Sequence, residues 1–435
     1  MYYFLWDESF LWGLTAYRSM SALGVPLAAV TAEEVRSGAL SEPGVLIVPG
    51  GWASDKTAAL GEAGREAIRG FVTGGGGYLG LCGGAGLALD VDGGLALTHV
   101  SRVPTRHRVP SFSGEVELSA DDRSHPVWKG IRRPHVFHVW WPGQFHIGDG
   151  AGVKVIARYG RPGRGFSLAD LSAGDVETYG DGWERWEDTY EINLNPARLE
   201  GEPAIIEVTS GEGKAFLSYP HIETPGSRKG NRALLNVLEY LRPAGMRDAA
   251  PSPAPISTPS AFFKAGAAES GIDRRYPVSP DAVTAAGVMM RAAREFIAFG
   301  ERNFLWYWRN GWVLQWRRGV RGVEYSSLYA LIREIDGSLK SGDVYADESI
   351  SDRVVTLRDR VAEFFEDAKK LLLLERRAMM TGGMSSISSH DPEVMKLRGR
   401  LFSNSKRFGG EFKTLLDALD GIVLGIIRAE GTRAE

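Results

Sequence analysis

The sequence predicts an α/β domain built on a mainly parallel sheet, followed by a separate all-α helical domain. Three observations carry this prediction. Strand and helix signals alternate over roughly the first 240 residues, as they do where crossover helices join parallel strands. Pro243, Pro251, Pro253, Pro255 and Pro259 then fall in one stretch with Ala and Ser between them, the composition of a semi-rigid linker. Beyond it, apolar residues recur at helical spacing: Val354, Leu357, Val361, Phe364, Phe365, Ala368 and Leu372 make an i, i+3, i+4 stripe. The expected divisions are residues 1–242, a linker over 243–260, and a helical domain over 261–435.

Each element has a local reason. Tyr2–Trp6 is an apolar run that ends at Asp7-Glu8-Ser9, a first buried strand. Phe10–Leu23 reads as a helix stopped by Gly24, and Leu27–Val30 as a second strand. Gly44–Gly51 is a buried strand with a glycine turn at its end. Ala63–Val72 has helical periodicity, and Tyr78–Leu81 is a short apolar strand entering an apolar helix over Ala85–Leu89. Gly114–Leu118, His135–Trp140, Val153–Tyr159, Ala204–Thr209 and Lys214–Tyr219 follow as strands, with a polar, tryptophan-dotted insertion over Arg158–Asn195. Asn231–Leu241 is a closing helix. The second domain offers helices at Pro280–Phe299, Glu324–Leu339, Asp352–Met379 and Glu411–Glu430, the pattern of a bundle.

Composition narrows the function. The 435 residues are 43% hydrophobic and 24% charged, with a formal net charge of −3. That balance argues against a nucleic-acid-binding or polybasic membrane surface. No apolar run approaches the roughly 20 residues that span a bilayer. The start, Met1-Tyr-Tyr-Phe-Leu-Trp-Asp-Glu, lacks a basic stretch and does not read as a signal peptide. A single cysteine rules out an intrachain disulfide and fits a reducing compartment, so a cytoplasmic location is expected.

That cysteine, Cys82, is the most informative residue. It lies in Gly-Gly-Tyr-Leu-Gly-Leu-Cys-Gly-Gly-Ala-Gly, where an apolar strand turns sharply through glycines into a helix. Such a nucleophile elbow lifts one side chain above a sheet. The N–H of Gly83 and the helix N-terminus behind it would favour negative charge, on the sulfur or on an oxyanion. A thiol nucleophile needs a base, and the base an orienting group. His221 stands directly after a strand and two residues before Glu223, a spacing that lets the carboxylate fold back onto the imidazole.

These residues carry a family resemblance. Gly80-Leu-Cys82-Gly-Gly84 resembles the Gly-x-Cys-x-Gly elbow of class I glutamine amidotransferase-like domains, and His221-Ile-Glu223 resembles their His-Pro-Glu, with Ile in place of Pro. Gly50-Gly51 is similar to the turn that supplies a second oxyanion N–H there. Within the superfamily, the runs around Gly50, Cys82 and His221 look most like the biotin-protein ligase N-terminal-like domain, over about residues 1–242. The resemblance implies a flavodoxin-like fold and a Cys82–His221–Glu223 triad with Gly50, Gly51 and Gly83 around the oxyanion. It implies a small amide-type substrate, with no metal and no cofactor.

Other residues have plainer readings. Asp7 is expected to cap the first helix, with a place in the substrate pocket as its alternative. His135 and His138 would point to opposite faces of a regular strand and so cannot easily share one ion. Gly74–Gly77 is followed by no Lys-Ser/Thr and is no phosphate loop. Phe304–Trp316 holds four tryptophans and reads as core packing or as a protein-partner surface. The competing function is a non-enzymatic ligand-binding scaffold whose helical domain binds that partner.

Overall fold

The computed structural model describes residues 1–148, 152–163, 165–243, 276–341, 345–346, 348–381, 391–403 and 407–431. They belong to two compact units, Met1–Phe262 and Phe263–Glu435. The expected linker over 243–260 lies outside the described residues from position 244 onward.

The strands of the first unit are β1 (Tyr2–Leu5), β2 (Leu27–Val30), β3 (Val45–Val48), β4 (Gly77–Leu81), β5 (Ser101–Arg102), β6 (Phe112–Ala120), β7 (His135–Trp140), β8 (Phe145–His146), β9 (Val153–Pro162), β10 (Ser167–Leu168), β11 (Leu171–Ser172), β12 (Pro203–Ser210) and β13 (Gly213–Ser218). Its helices are α1 (Phe10–Ala22), α2 (Ala32–Arg36), α3 (Ala53–Thr73), α4 (Gly83–Leu87), α5 (Ala173–Tyr179), α6 (Trp183–Tyr190) and α7 (Arg228–Tyr240). Among the described residues one eleven-stranded sheet runs β11-β10-β6-β9-β12-β13-β4-β3-β1-β2, with β7 also on β6.

Half of this sheet is as expected. β2, β1, β3, β4 and β13 are parallel neighbours in that order. Counting β13 as the fifth strand, this is the 2-1-3-4-5 order of flavodoxin-like doubly wound sheets. β3 and β4 are buried on both faces, and Val45, Leu46, Ile47 and Val48 have no exposed surface. This is why they read as unbroken apolar runs rather than alternating ones.

The other half corrects the expectation of a mainly parallel sheet. β12 is antiparallel to both β13 and β9, and β6 is antiparallel to β9, β7 and β10. The sheet is therefore mixed. The expected insertion over Arg158–Asn195 is partly the sheet's own edge: β9 runs on to Pro162, β10 and β11 extend the sheet, and α5 and α6 follow. Two helix boundaries also move. α3 begins ten residues earlier than the periodicity suggests (63 − 53), broken by Gly61 at φ 61°. α4 starts at Gly83 rather than at Ala85.

The second unit contains β14 (Tyr276–Pro277), α8 (Pro280–Arg302), β15 (Trp306–Trp308), β16 (Leu314–Trp316), α9 (Gly322–Lys340), β17 (Tyr345–Ala346), α10 (Glu348–Met380), α11 (Pro392–Phe402) and α12 (Gly410–Gly431). The stripe from Val354 to Leu372 is buried as its spacing requires. Phe364 and Phe365 on α10 meet Phe296 on α8, Phe402 on α11 and Phe412 on α12 at centroid distances of 4.9–6.5 Å. Each such ring contributes about 2 kcal/mol through burial alone.

The unit is not purely helical. β15 and β16 form a hairpin that pairs Trp306 with Trp316, and β14 pairs with β17. Trp306 is core: its ring packs on Phe296 and Tyr325, and its N–H donates to Ile297 O at 3.0 Å. The exposed aromatics of the segment are instead Phe304 and Tyr307. None of the described helices is long and apolar enough to cross a membrane.

Candidate active site

The C-terminal ends of β1, β3 and β4 lie side by side, where doubly wound sheets hold their ligands. Cys82 follows β4 directly. Its φ of 48° and ψ of −103° are a strained pair for a residue with a side chain. The strain is held by close packing on both sides. A Cβ on Gly83 would lie 1.9 Å from Gly51 O, and one on Gly84 1.9 Å from Val48 O. Only glycine permits these approaches. The elbow and the Gly50-Gly51 turn are thereby in backbone contact beside Cys82. Among the described residues, neither the Gly51 nor the Gly83 N–H is used in a turn or loop hydrogen bond.

Gly51 itself has φ 113° and sits against the loop after β1, where a Cβ would be 2.1 Å from Glu8 O. That loop is strained at Glu8 (φ 53°) and Phe10 (φ 45°). Lys56, buried within α3, steadies it by donating to Asp7 O at 2.9 Å and to Ser9 Oγ. Asp7 is a cap, but of a different helix than expected. Its Oδ2 accepts from Ala32 N at 2.6 Å, at the start of α2, because β1 and β2 are neighbours.

His221 and Glu223 are each 2% exposed, and His221 Nδ1 is 2.7 Å from Glu223 Oε1. The loop carrying them is fixed at nearly every residue. Ser218 Oγ donates to Pro220 O at 2.6 Å, and His221 N donates to His138 O at 2.8 Å. Ile222, in the place of the family's Pro, uses its N–H to close a turn onto Pro220 O at 3.1 Å. Thr224 Oγ1 donates to His221 O at 2.8 Å and accepts from Trp140 Nε1 at 3.3 Å. Asn231, on α7, donates to Ile222 O and Thr224 O. Trp12 lies against the imidazole with centroids 5.1 Å apart, and a Cβ on Gly50 would meet Trp12 at 2.9 Å.

The electrostatics favour an imidazolium. Burial pushes His221 down, but the Glu223 carboxylate and the Cys82 sulfur outweigh it and raise the group to about 10. Nε2, the ring nitrogen away from Glu223, is buried without a closed hydrogen bond. It is nonetheless near enough to Cys82 for the sulfur to help hold the ring's proton. A loose contact of this kind is usual before substrate tightens a site.

His135 and His138 have other work. His135 stacks flat on Trp128 at 4.5 Å, and His138 stacks on Trp140 while its carbonyl holds His221. Among the described residues there is no cluster of three or more His, Cys, Asp or Glu able to hold a metal ion. Two tyrosines without a motif of their own, Tyr219 and Tyr159, lie along the same rim of the sheet as the cysteine. Burial, reinforced by the Cys82 sulfur, raises the phenols of Tyr219 and Tyr159, and burial, with Arg102 nearby, lowers Arg108. Tyr219 directly precedes Pro220-His221, the only local signal that points to any of them.

No family model matches the sequence, and neither does any curated protein. Among solved structures the chain is similar to a GMP synthase-type protein of Thermoplasma acidophilum, with TM-score 0.35, 14% identity, and 57% of this chain and 96% of that one covered. It is also similar to a ThuA-like protein of Bacteroides uniformis, with TM-score 0.35, 14% identity, and 55% and 89% covered. A β-galactosidase of Rahnella sp. R3 matches with TM-score 0.32 and 10% identity, over 55% of this chain and 31% of that one. Likenesses at this level carry no weight on chemistry.

Proposed function

We propose that residues 1–242 form a cysteine-dependent amide hydrolase or amidotransferase of the class I glutamine amidotransferase-like superfamily, in its biotin-protein ligase N-terminal-like branch. The observation that carries this reading is the buried His221–Glu223 pair at 2.7 Å, whose imidazole also feels the Cys82 sulfur. Cys82 Sγ attacks the carbonyl carbon of a small amide, its proton having passed to His221 Nε2. The oxyanion forms against the N–H groups of Gly83 and of Gly50 or Gly51. Collapse breaks the C–N bond, and Nε2 returns its proton to the departing amine. Water, or an acceptor amine, then cleaves the thioester with His221 as base. Glu223 fixes the ring and stabilises its charge.

The test is the pH dependence of iodoacetamide alkylation, which reports on one site because the chain has one cysteine. At pH 6.5 Cys82 is expected to react about tenfold faster than free cysteine, whose thiol titrates near 8.5. His221→Ala should bring it down to the free-cysteine rate. A wild-type rate that matches free cysteine and ignores His221 would sink the reading. Ammonia release from a panel of carboxamides then identifies substrates.

Glu223→Gln tests the charge. His221 is raised in the folded state, so its protonation stabilises the fold fully below about pH 6.5, and that support is lost as pH rises through about 10. The wild type should therefore exceed Glu223→Gln by a few kcal/mol near pH 6, and the gap should shrink toward pH 10 in urea titrations. A gap that is independent of pH would show that no imidazolium is present.

A further inference from the structure

Lys56 stands where a lysine is costly. It is 1% exposed, and it lies in the first turn of α3, where the helix dipole opposes a cation. A buried ammonium is tolerated where hydrogen bonds meet it. Lys56 Nζ donates to Asp7 O at 2.9 Å and to Ser9 Oγ. Ser9 is itself buried, and its Oγ donates to Asp7 O at 3.2 Å. The ammonium thus closes the turn after β1 from within the fold.

That turn bears directly on the glycine turn after β3. Glu8, between the two residues that Lys56 grips, has φ 53°, and Phe10 follows at φ 45°. Residues with side chains hold such left-handed positions only where their surroundings enforce them. The Glu8 carbonyl is pressed against Gly51: a Cβ there would lie 2.1 Å from Glu8 O and 3.4 Å from Lys56 Cε. Gly51 in turn touches the elbow, because a Cβ on Gly83 would lie 1.9 Å from Gly51 O and 3.0 Å from Gly51 N. An unbroken line of contacts therefore runs from Lys56 through Asp7–Ser9 to Gly51, and on to Gly83 beside Cys82.

We propose that Lys56 is a positioning residue for the oxyanion: by holding the strained Asp7–Ser9 turn, it fixes the Gly51 N–H at the elbow. This rests on Cys82 being the nucleophile. Lys56 touches no reacting atom. Its effect comes through Gly51, since a donor stabilises developing charge best when it is already in place.

Two reagents that use the same sulfur separate this role from a merely structural one. p-Nitrophenyl acetate acylates a thiolate through a tetrahedral oxyanion: the S–C bond forms and p-nitrophenolate departs. Iodoacetamide is attacked at a saturated carbon, iodide departs, and no oxyanion forms. Both rates are measured with the Cys82→Ala background subtracted. In Lys56→Met, acylation should fall at least about tenfold, a share of the roughly 100- to 1000-fold that losing a whole oxyanion donor costs. Alkylation should stay within about twofold of wild type and keep its dependence on His221, because it reads only the thiolate. Ser9→Ala removes one of the two acceptors. It should show the same selective loss at smaller size, and it carries the test should Lys56→Met fail to fold. Acylation unchanged in both variants, or acylation and alkylation falling together, overturns the positioning role and leaves the nucleophile standing. So does a wild-type ratio of acylation to alkylation no greater than that of free cysteine, which would leave no oxyanion site to position. Wild-type alkylation that is slow and indifferent to His221 overturns the nucleophile and the positioning role together.

Discussion

Gly84→Ala is expected to destabilise the first unit by about 3 kcal/mol or more, read as a lowered urea midpoint. The new Cβ would lie 1.9 Å from Val48 O and 2.9 Å from Val48 Cγ1. Neither side can yield easily. Val48 is fully buried in β3, and the Gly84 carbonyl is held by Tyr78 Oη at 2.7 Å beneath the elbow. Relief would require the elbow to open, which displaces Cys82 from its φ of 48° and slows its alkylation. Gly86→Ala, two residues on in α4, is the control. There the nearest atom is Ala53 Cβ at 3.5 Å, an ordinary contact. The gain in helix propensity makes that change neutral or stabilising by up to about 1 kcal/mol. A Gly84→Ala protein as stable as wild type would mean the elbow is not clamped between β3 and the glycine turn.

The elbow is legible in the sequence because its chemistry is local: strand, strained turn and helix occupy eleven consecutive residues, 76–86. His221 and Glu223 are legible for the same reason, since a carboxylate two residues on folds back without help from elsewhere. What escapes local reading is whatever depends on which strands become neighbours. The strands from Gly114 onward stand out, but no local signal says that β13 joins the parallel half at β4 and turns the sheet antiparallel at β12. Asp7 has the position of a cap for the helix that follows it. The fold offers it the N-terminus of α2 instead, brought alongside by the β1–β2 pairing. Tyr159 and Tyr219 are far apart in the chain and reach one rim of the sheet only through the start of β12, which takes the N–H of each. The second unit does carry a local signal for its hairpin. Trp306 and Trp308, then Leu314 and Trp316, alternate on either side of Asn310-Gly311, a pattern that the dense tryptophan content masks.

Arg398→Met is expected to destabilise the second unit by about 3–5 kcal/mol, the cost of stranding a buried charge. The partner left behind is Glu375 on α10, whose side chain is 3% exposed, as that of Arg398 on α11 is 5% exposed. Nearby on α9, Tyr325 is likewise buried and Glu324 half-buried, and Arg321 lies over Phe402 at 4.6 Å. Burial raises Glu375 above its ordinary 4.5 even though Arg398 pulls it down. Without Arg398 the upward push grows, and the folded state then binds a proton more tightly than the unfolded chain, which releases it near 4.5. Stability of the variant should therefore fall as pH rises above about 4.5 and recover toward wild type below it. Replacing both partners, Glu375→Met with Arg398→Met, removes the stranded charge and fills the space with apolar volume. That double variant should return to within about 1 kcal/mol of wild type at pH 7, or exceed it. Thermal or urea unfolding of the four proteins at pH 4 and pH 7 gives the comparison. Equal losses at both pH values, or a double variant as unstable as the sum of the singles, would assign the cost to packing rather than to charge.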